Sequence, residues 1–161
     1  MPLPAVEVSQ SPEEKFREYL ASRPDLKRFS QPQKELVEHI FARHKHFDTN
    51  ELIDDLKAAG RSVSRATVYR TLKLLVDASL LRRIEVGPRT VFDHDYGYPA
   101  HDHLICNECG TMIEFQDPKL DAALQEVAGE REFQAEGRSL VIRGICGDCN
   151  KARAARRRLV M

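Results

Sequence analysis

The chain has 161 residues, 42% of them hydrophobic, with no Trp and no apolar run near membrane-spanning length, so a soluble chain of one ordinary domain or two small ones is expected. Its 25 Lys and Arg balance 25 Asp and Glu, which excludes a uniformly basic or uniformly acidic protein. The N-terminus, "MPLPAVEVSQSPEEK", shows no basic region followed by an apolar one. A cytoplasmic, reducing location is therefore expected, and four cysteines are a poor disulfide framework there.

The spacing predicts a first helix from Ser11, with Pro12 at its first position and Glu13 and Glu14 facing the positive end of its dipole. Phe16, Tyr19 and Leu20 form its apolar side. "RPDLKRFSQ" ends it, and a second helix follows Pro32 with Leu36, Val37, Ile40 and Phe41 on one face. "HFDTNELIDDLKAAG" reads as a short helix with capping-box spacing at Asp48 and Glu51 and a terminal Gly60. Ser64 caps the next one, "RATVYRTLKLLVDAS", which buries Val68, Leu72 and Leu75 or Val76 and leaves Arg65, Tyr69, Arg70 and Lys73 outside. Two short helices joined by a glycine-containing turn make a helix-turn-helix candidate. "LLRRIEVGPRTVFD" supplies two strands around Gly87 and Pro88, the wing of a winged helix.

"YGYPA" reads as a linker. Beyond it the expected order is a strand (His103 to Cys106), a knuckle, a strand (Met112 to Phe115), a helix from Pro118 to about Val127, a strand (Ser139 to Ile145), a second knuckle and a basic tail. The fold class is thus α+β, an N-terminal winged helix-turn-helix domain plus a small C-terminal α/β domain. The boundaries are 1–93, a hinge over 94–100, a metal-binding domain over 101–150 and a tail over 151–161. With no aromatic residue among Lys151, Arg153, Arg156, Arg157 and Arg158, the tail is expected to be disordered.

Charge is segregated along this order. Arg61 to Phe92 holds seven Lys/Arg against two acids, whereas Asp93 to Glu136 holds eleven acids against two bases. A basic segment beside an acidic one suits contact with a polyanion and capture of cations.

All four cysteines lie in two CxxC pairs, Cys106/Cys109 and Cys146/Cys149. Four thiolates close a tetrahedral structural zinc site with no vacant position. The 36 residues between the pairs exceed the usual zinc-ribbon spacing, so a small domain must fold between them. A thioredoxin-like centre would instead place one CxxC at the start of a helix in an α/β domain.

His101 and His103 stand two apart on a strand, so both imidazoles face one side. Asp93 ends the second wing strand, Glu114 lies on the strand after the first knuckle, and His46 precedes the helix-turn-helix. Three imidazoles and two carboxylates suit Fe(II), Mn(II), Zn(II) or Ni(II). His94 and Asp95 compete for the place of Asp93, and solvated histidines in an acidic segment are the plainer alternative.

The "RATVYRTLKLL" helix, the wing, "HDHLICNECG.MIEF" and the terminal CxxC together resemble the ferric uptake regulator (Fur) family of bacterial metal-dependent repressors, from about Leu26 to Cys149. The resemblance implies a winged-helix DNA-binding domain, a hinge and an α/β dimerisation domain, acting as a homodimer on a palindromic AT-rich operator. It makes Cys106, Cys109, Cys146 and Cys149 ligands of a structural zinc ion, and His46, Asp93, His101, His103 and Glu114 a regulatory site that joins the two domains. It places Tyr69 and Arg70 on DNA bases and Arg28 or Lys27 toward the minor groove. On the same helix Arg65 and Lys73 are expected to neutralise phosphates, and Thr67 completes the expected DNA-binding set. A further metal site of the family takes histidines where this chain has Ala100 and Arg138, and only Asp102 and Asp121 match.

Function read this way is an Fe(II)-dependent repressor, with double-stranded DNA and a second copy as partners and neither membrane nor small organic substrate involved. A peroxide sensor of the same family is the alternative, since Asp93 fits its acidic pattern and Glu114 does not, followed by a manganese, zinc or nickel sensor. No enzymatic activity is expected. A small metalloenzyme built on the His/acid set is the reading from another class, and it would need a substrate cleft and an open coordination position.

Overall fold

The structure is a computed structural model and describes residues 6–26, 28–135 and 138–159. Lys27 and the end of the tail lie outside the described residues. The chain divides between Pro99 and Ala100 into two compact units. No helix among the described residues is long and apolar enough to cross a membrane.

The N-terminal unit opens with α1 (Pro12–Ala21), whose capping box is reciprocal: the Glu14 amide donates to Ser11 Oγ at 3.2 Å and the Ser11 amide to Glu14 Oε2 at 2.8 Å. α2 (Gln31–Phe41) starts one residue before Pro32, where Ser30 donates its amide to Gln33. A two-residue strand, β1 (Phe47–Asp48), precedes α3 (Thr49–Ala58). Asp48 then serves twice, as strand end and as N-cap, accepting from the Asn50 and Glu51 amides at 2.9 Å each. Gly60, at φ +70°, makes the turn toward α4 (Arg65–Asp77), capped by Ser64. The wing is β2 (Leu81–Val86) and β3 (Arg89–His94), antiparallel, joined at Gly87 with φ +59°. β3 is central in the order β1-β3-β2.

One apolar core holds this unit together. Phe16, Leu36, Val68, Leu75 and Leu80 have no exposed surface to speak of, and every helix contributes. On α4 the buried stripe is Val68, Thr71, Leu72 and Leu75, with Val76 half-buried.

The C-terminal unit is a three-stranded sheet in the order β5-β4-β6, with β4 (Asp102–Cys106) antiparallel to β5 (Met112–Phe115) and parallel to β6 (Val141–Gly144). α5 (Pro118–Gly129), capped by Asp117, makes the crossover between β5 and β6. Both β4 and the α5 terminus extend slightly past the expected limits, while β6 is shorter than the expected 139–145.

Two expectations need correction. The tail is not disordered: α6 (Gly147–Leu159) runs through it. Ala and Arg are good helix formers, Asp148 sits in the first turn, three arginines close the last, and Arg153 pairs with Glu108 of the first knuckle. The stretch 94–100 does not begin as a free connection either. His94 is still strand, the Asp95 amide donates to the Leu80 carbonyl at 3.1 Å, and the Tyr96 hydroxyl donates to the Gln10 carbonyl at 3.0 Å.

Candidate metal centres and nucleic-acid interface

Strand register assembles the cysteines. The parallel β4–β6 pairing sets Cys106 opposite Gly144, so the chain reaches Cys146 beside the first knuckle. One donor atom from each of Cys106, Cys109, Cys146 and Cys149 lies within 4.8 Å of all the others, and the Cys109 and Cys146 sulfurs are 3.8 Å apart. The Cys146 amide donates to the Cys106 sulfur at 3.3 Å, and this bond, with another from Cys109, brings the Cys106 thiol down to about 6. The Thr111 hydroxyl, 3.1 Å from the Cys109 sulfur, lowers that thiol too. Cys149 goes the other way, raised by the sulfurs of Cys146 and Cys109 around it. Four crowded thiols cannot all ionise without a compensating cation, and amide donors already favour thiolate at Cys106. These residues fit a tetrathiolate zinc ion.

The histidine and acid residues fall in both units. In the N-terminal unit, β1 pairs Phe47 with Phe92, which sets His46 next to Asp93. His46 Nε2 is 3.2 Å from Asp93 Oδ1. Asp93 is fully buried, and its other oxygen, Oδ2, lies 3.3 Å from Arg82 Nη2. Asp95, half-exposed, is 3.5 Å from Arg82 Nε, so Asp93 is the acid beside His46. In the C-terminal unit the His101 and His103 rings are buried with centroids 4.9 Å apart, and β4–β5 register sets Glu114 opposite His103. Each unit thus holds part of an N/O donor set on the end of a strand.

Asp102 alternates to the other side of β4 and is fully buried. Arg138 Nη2 donates to its Oδ2 at 2.6 Å, Nε to its Oδ1 at 3.3 Å, and Nη1 pairs with Asp121. A guanidinium that already neutralises both carboxylates does not fit a metal there.

On α4, Arg65, Tyr69, Arg70 and Lys73 are exposed, Tyr69 by 54%. Thr67 is held at the helix start, its hydroxyl 2.9 Å from Ser64 Oγ, and Arg65 donates to Asn50 of α3 at 3.0 Å. Arg28, Thr67 and Arg70 share one groove of about 360 Å³. This basic face with one aromatic suits a polyanion.

Sequence reasoning missed Arg82, His44 and the role of Arg138. The "HKH" pair at 44 and 46 repeats the spacing of 101 and 103 and was the available signal for His44. Nothing local announces an arginine that pairs across strands.

Comparison with known proteins places the molecule. The sequence profile of the Ferric uptake regulator family matches residues 26–143. The ferric uptake regulation protein of Campylobacter jejuni is 32% identical over 129 residues, covering 79% of this chain and 82% of that protein. The structure of the ferric uptake regulator from Pseudomonas aeruginosa with manganese matches with a TM-score of 0.73 at 26% identity, over 86% of this chain and 99% of that one. That of the Francisella tularensis regulator with iron matches with a TM-score of 0.61 at 27% identity, over 80% and 97%. The winged helix, the paired CxxC knuckles and the matched span agree, and the chain belongs to the ferric uptake regulator family of metal-responsive, DNA-binding, dimeric transcriptional regulators.

Proposed function

We propose that this chain is an Fe(II)-dependent repressor that binds a palindromic AT-rich operator as a homodimer. The observation that carries the reading is the division of an N/O donor set between the two units: His46 and Asp93 in one, His101, His103 and Glu114 in the other. A divalent ion bound by all five supplies the shared coordination and the positive charge that two carboxylates require. His46 and Asp93 then hold the N-terminal unit to the C-terminal one. Closure gains population only as far as the assembled donors bind more tightly than the separated ones. Cys106, Cys109, Cys146 and Cys149 hold a zinc ion that fixes the ends of β4 and β6.

The dimer reading is supported by the apolar surface of the C-terminal unit. Leu104, Ile113 and Ile142 are 37–47% exposed, and Leu124 and Val127 of α5 are exposed with them. A second copy covers this surface and sets two α4 helices one operator turn apart. Arg70 reads guanine, Tyr69 meets a thymine methyl, Arg65, Thr67 and Lys73 contact the backbone, and Arg28 reaches toward the minor groove. Relatives solved with manganese and with iron share the fold, so manganese is the second reading.

Anaerobic fluorescence anisotropy on such a duplex at fixed salt tests this, with Fe(II), Mn(II) and Zn(II) titrated separately into zinc-loaded protein. Affinity should rise with Fe(II), lose that rise in His101→Ala, and fall by roughly 1–3 kcal/mol in Arg70→Ala. Tight binding without added metal would remove the gating claim, and a response to Mn(II) alone would replace iron.

A further inference from the structure

The "HKH" stretch carries a second histidine that the gated site leaves unused. His44 stacks on Tyr98, ring centroids 3.7 Å apart and planes 15° apart, and its Nε2 lies 3.9 Å from Asp93 Oδ1. The residue after Asp93 is His94, fully buried, with Nε2 3.0 Å from the Ile40 carbonyl. A carbonyl only accepts, so Nε2 carries the ring proton and Nδ1 keeps its lone pair. Nδ1 is buried and has no hydrogen-bond partner among the described residues.

Packing alone does not explain that lone pair. Phe41, His44, Phe47 and Tyr98 surround the His94 ring edge-on, a setting an apolar ring would fill as well. A buried acceptor left without a partner is destabilising, because its lost hydration is not replaced. An imidazole whose N–H is fixed by a backbone carbonyl, with its other nitrogen bare, is oriented as metal-ligating histidines are. The donor atoms of His44, Asp93 and His94 lie within 4.8 Å of one another.

We propose that His44, Asp93 and His94 form a metal site wholly inside the N-terminal unit, which takes a divalent first-row transition ion. Two imidazoles and one carboxylate leave coordination positions for water. Asp93 Oδ2 is engaged by Arg82, whereas Oδ1 faces His44 and His46. That oxygen is therefore common to this site and to the gated one, and the N-terminal unit can hold an ion without any residue beyond Pro99. Only this sharing of Asp93 rests on the reading given under Proposed function; the site itself does not.

Co(II) is the probe, because its visible d–d bands report nitrogen and oxygen ligands and its thiolate bands mark the cysteines. The protein is the full zinc-loaded chain carrying His101→Ala and His103→Ala, which removes two of the five gated donors and both imidazoles of the C-terminal unit. It should retain a single Co(II) with nitrogen and oxygen ligands. Adding His44→Ala should weaken that binding by roughly 100-fold, at or above the cost of losing an outer-shell partner. His94→Gln should do the same, and if it does not fold, His44→Ala decides alone, with thermal melting as the fold control. Absence of Co(II) beyond the cysteine site, or affinity unchanged by His44→Ala, would overturn the proposal. Failure of the gated-repressor reading would show separately, as metal-independent operator binding by the unaltered chain.

Discussion

The two units reach stability by different means. The N-terminal unit closes one apolar core, to which α1, α2, α3, α4 and the wing all contribute. The C-terminal unit buries only Ile105 and Cys106 among its described apolar residues, and α5 buries none. A unit this small with so little core requires a staple, a partner, or both. Its four clustered cysteines and its exposed Leu104, Ile113 and Ile142 meet those two needs. A core and a site are thus separable: the first unit can carry its polar histidines as additions, whereas the second is organised around its sulfurs.

Removing the sulfur cluster should have the largest effect. Cys146→Ser, or denaturation and refolding with chelator, should abolish the fold of the C-terminal unit while the N-terminal melting transition persists, as calorimetry would show; a single unchanged transition would break the contrast. Leu72→Ala should act on the opposite unit, lowering N-terminal stability by roughly 2–5 kcal/mol in urea titrations with zinc content unchanged. Ile142→Glu should weaken self-association by roughly 1–3 kcal/mol in sedimentation equilibrium, leaving both melting transitions in place.

The smallest effect concerns pH. Burial, with Arg43 and Arg61 nearby, holds His39 below its ordinary value. As pH falls through about 6.5, the unfolded chain takes up this proton before the folded one does. Stability therefore drops below that pH until the depressed folded value is passed. His39→Gln should flatten this slope slightly in urea midpoints measured across the window, and an equal slope in both proteins would assign it to other groups.

Much of this was legible in the chain because it is local. The boxes at Ser11/Glu14 and Asp48/Glu51, the Ser64 cap and the buried stripe of α4 all depend on residues within a few positions of one another. The tail was misread for a different reason: the lack of aromatic residues was weighed above the intrinsic helix propensity of Ala and Arg, and the tie from Arg153 to Glu108 spans too many residues to be read from spacing.

By itself, then, the sequence determined which donors exist and in what pairs: two CxxC knuckles, His101 with His103, and a basic face bearing Tyr69. Tertiary structure decided which of them meet. β1 is two residues long and has no periodicity to announce it, yet its pairing with β3 brings His46 to Asp93. Parallel pairing of β6 with β4 brings Cys146 to Cys106. The closing of Arg138 on Asp102 and the seating of His94 under the Ile40 carbonyl join residues 36 and 54 positions apart. Periodicity and capping act over a turn of helix or a step of strand, but register acts between segments, and only the packed chain fixes it.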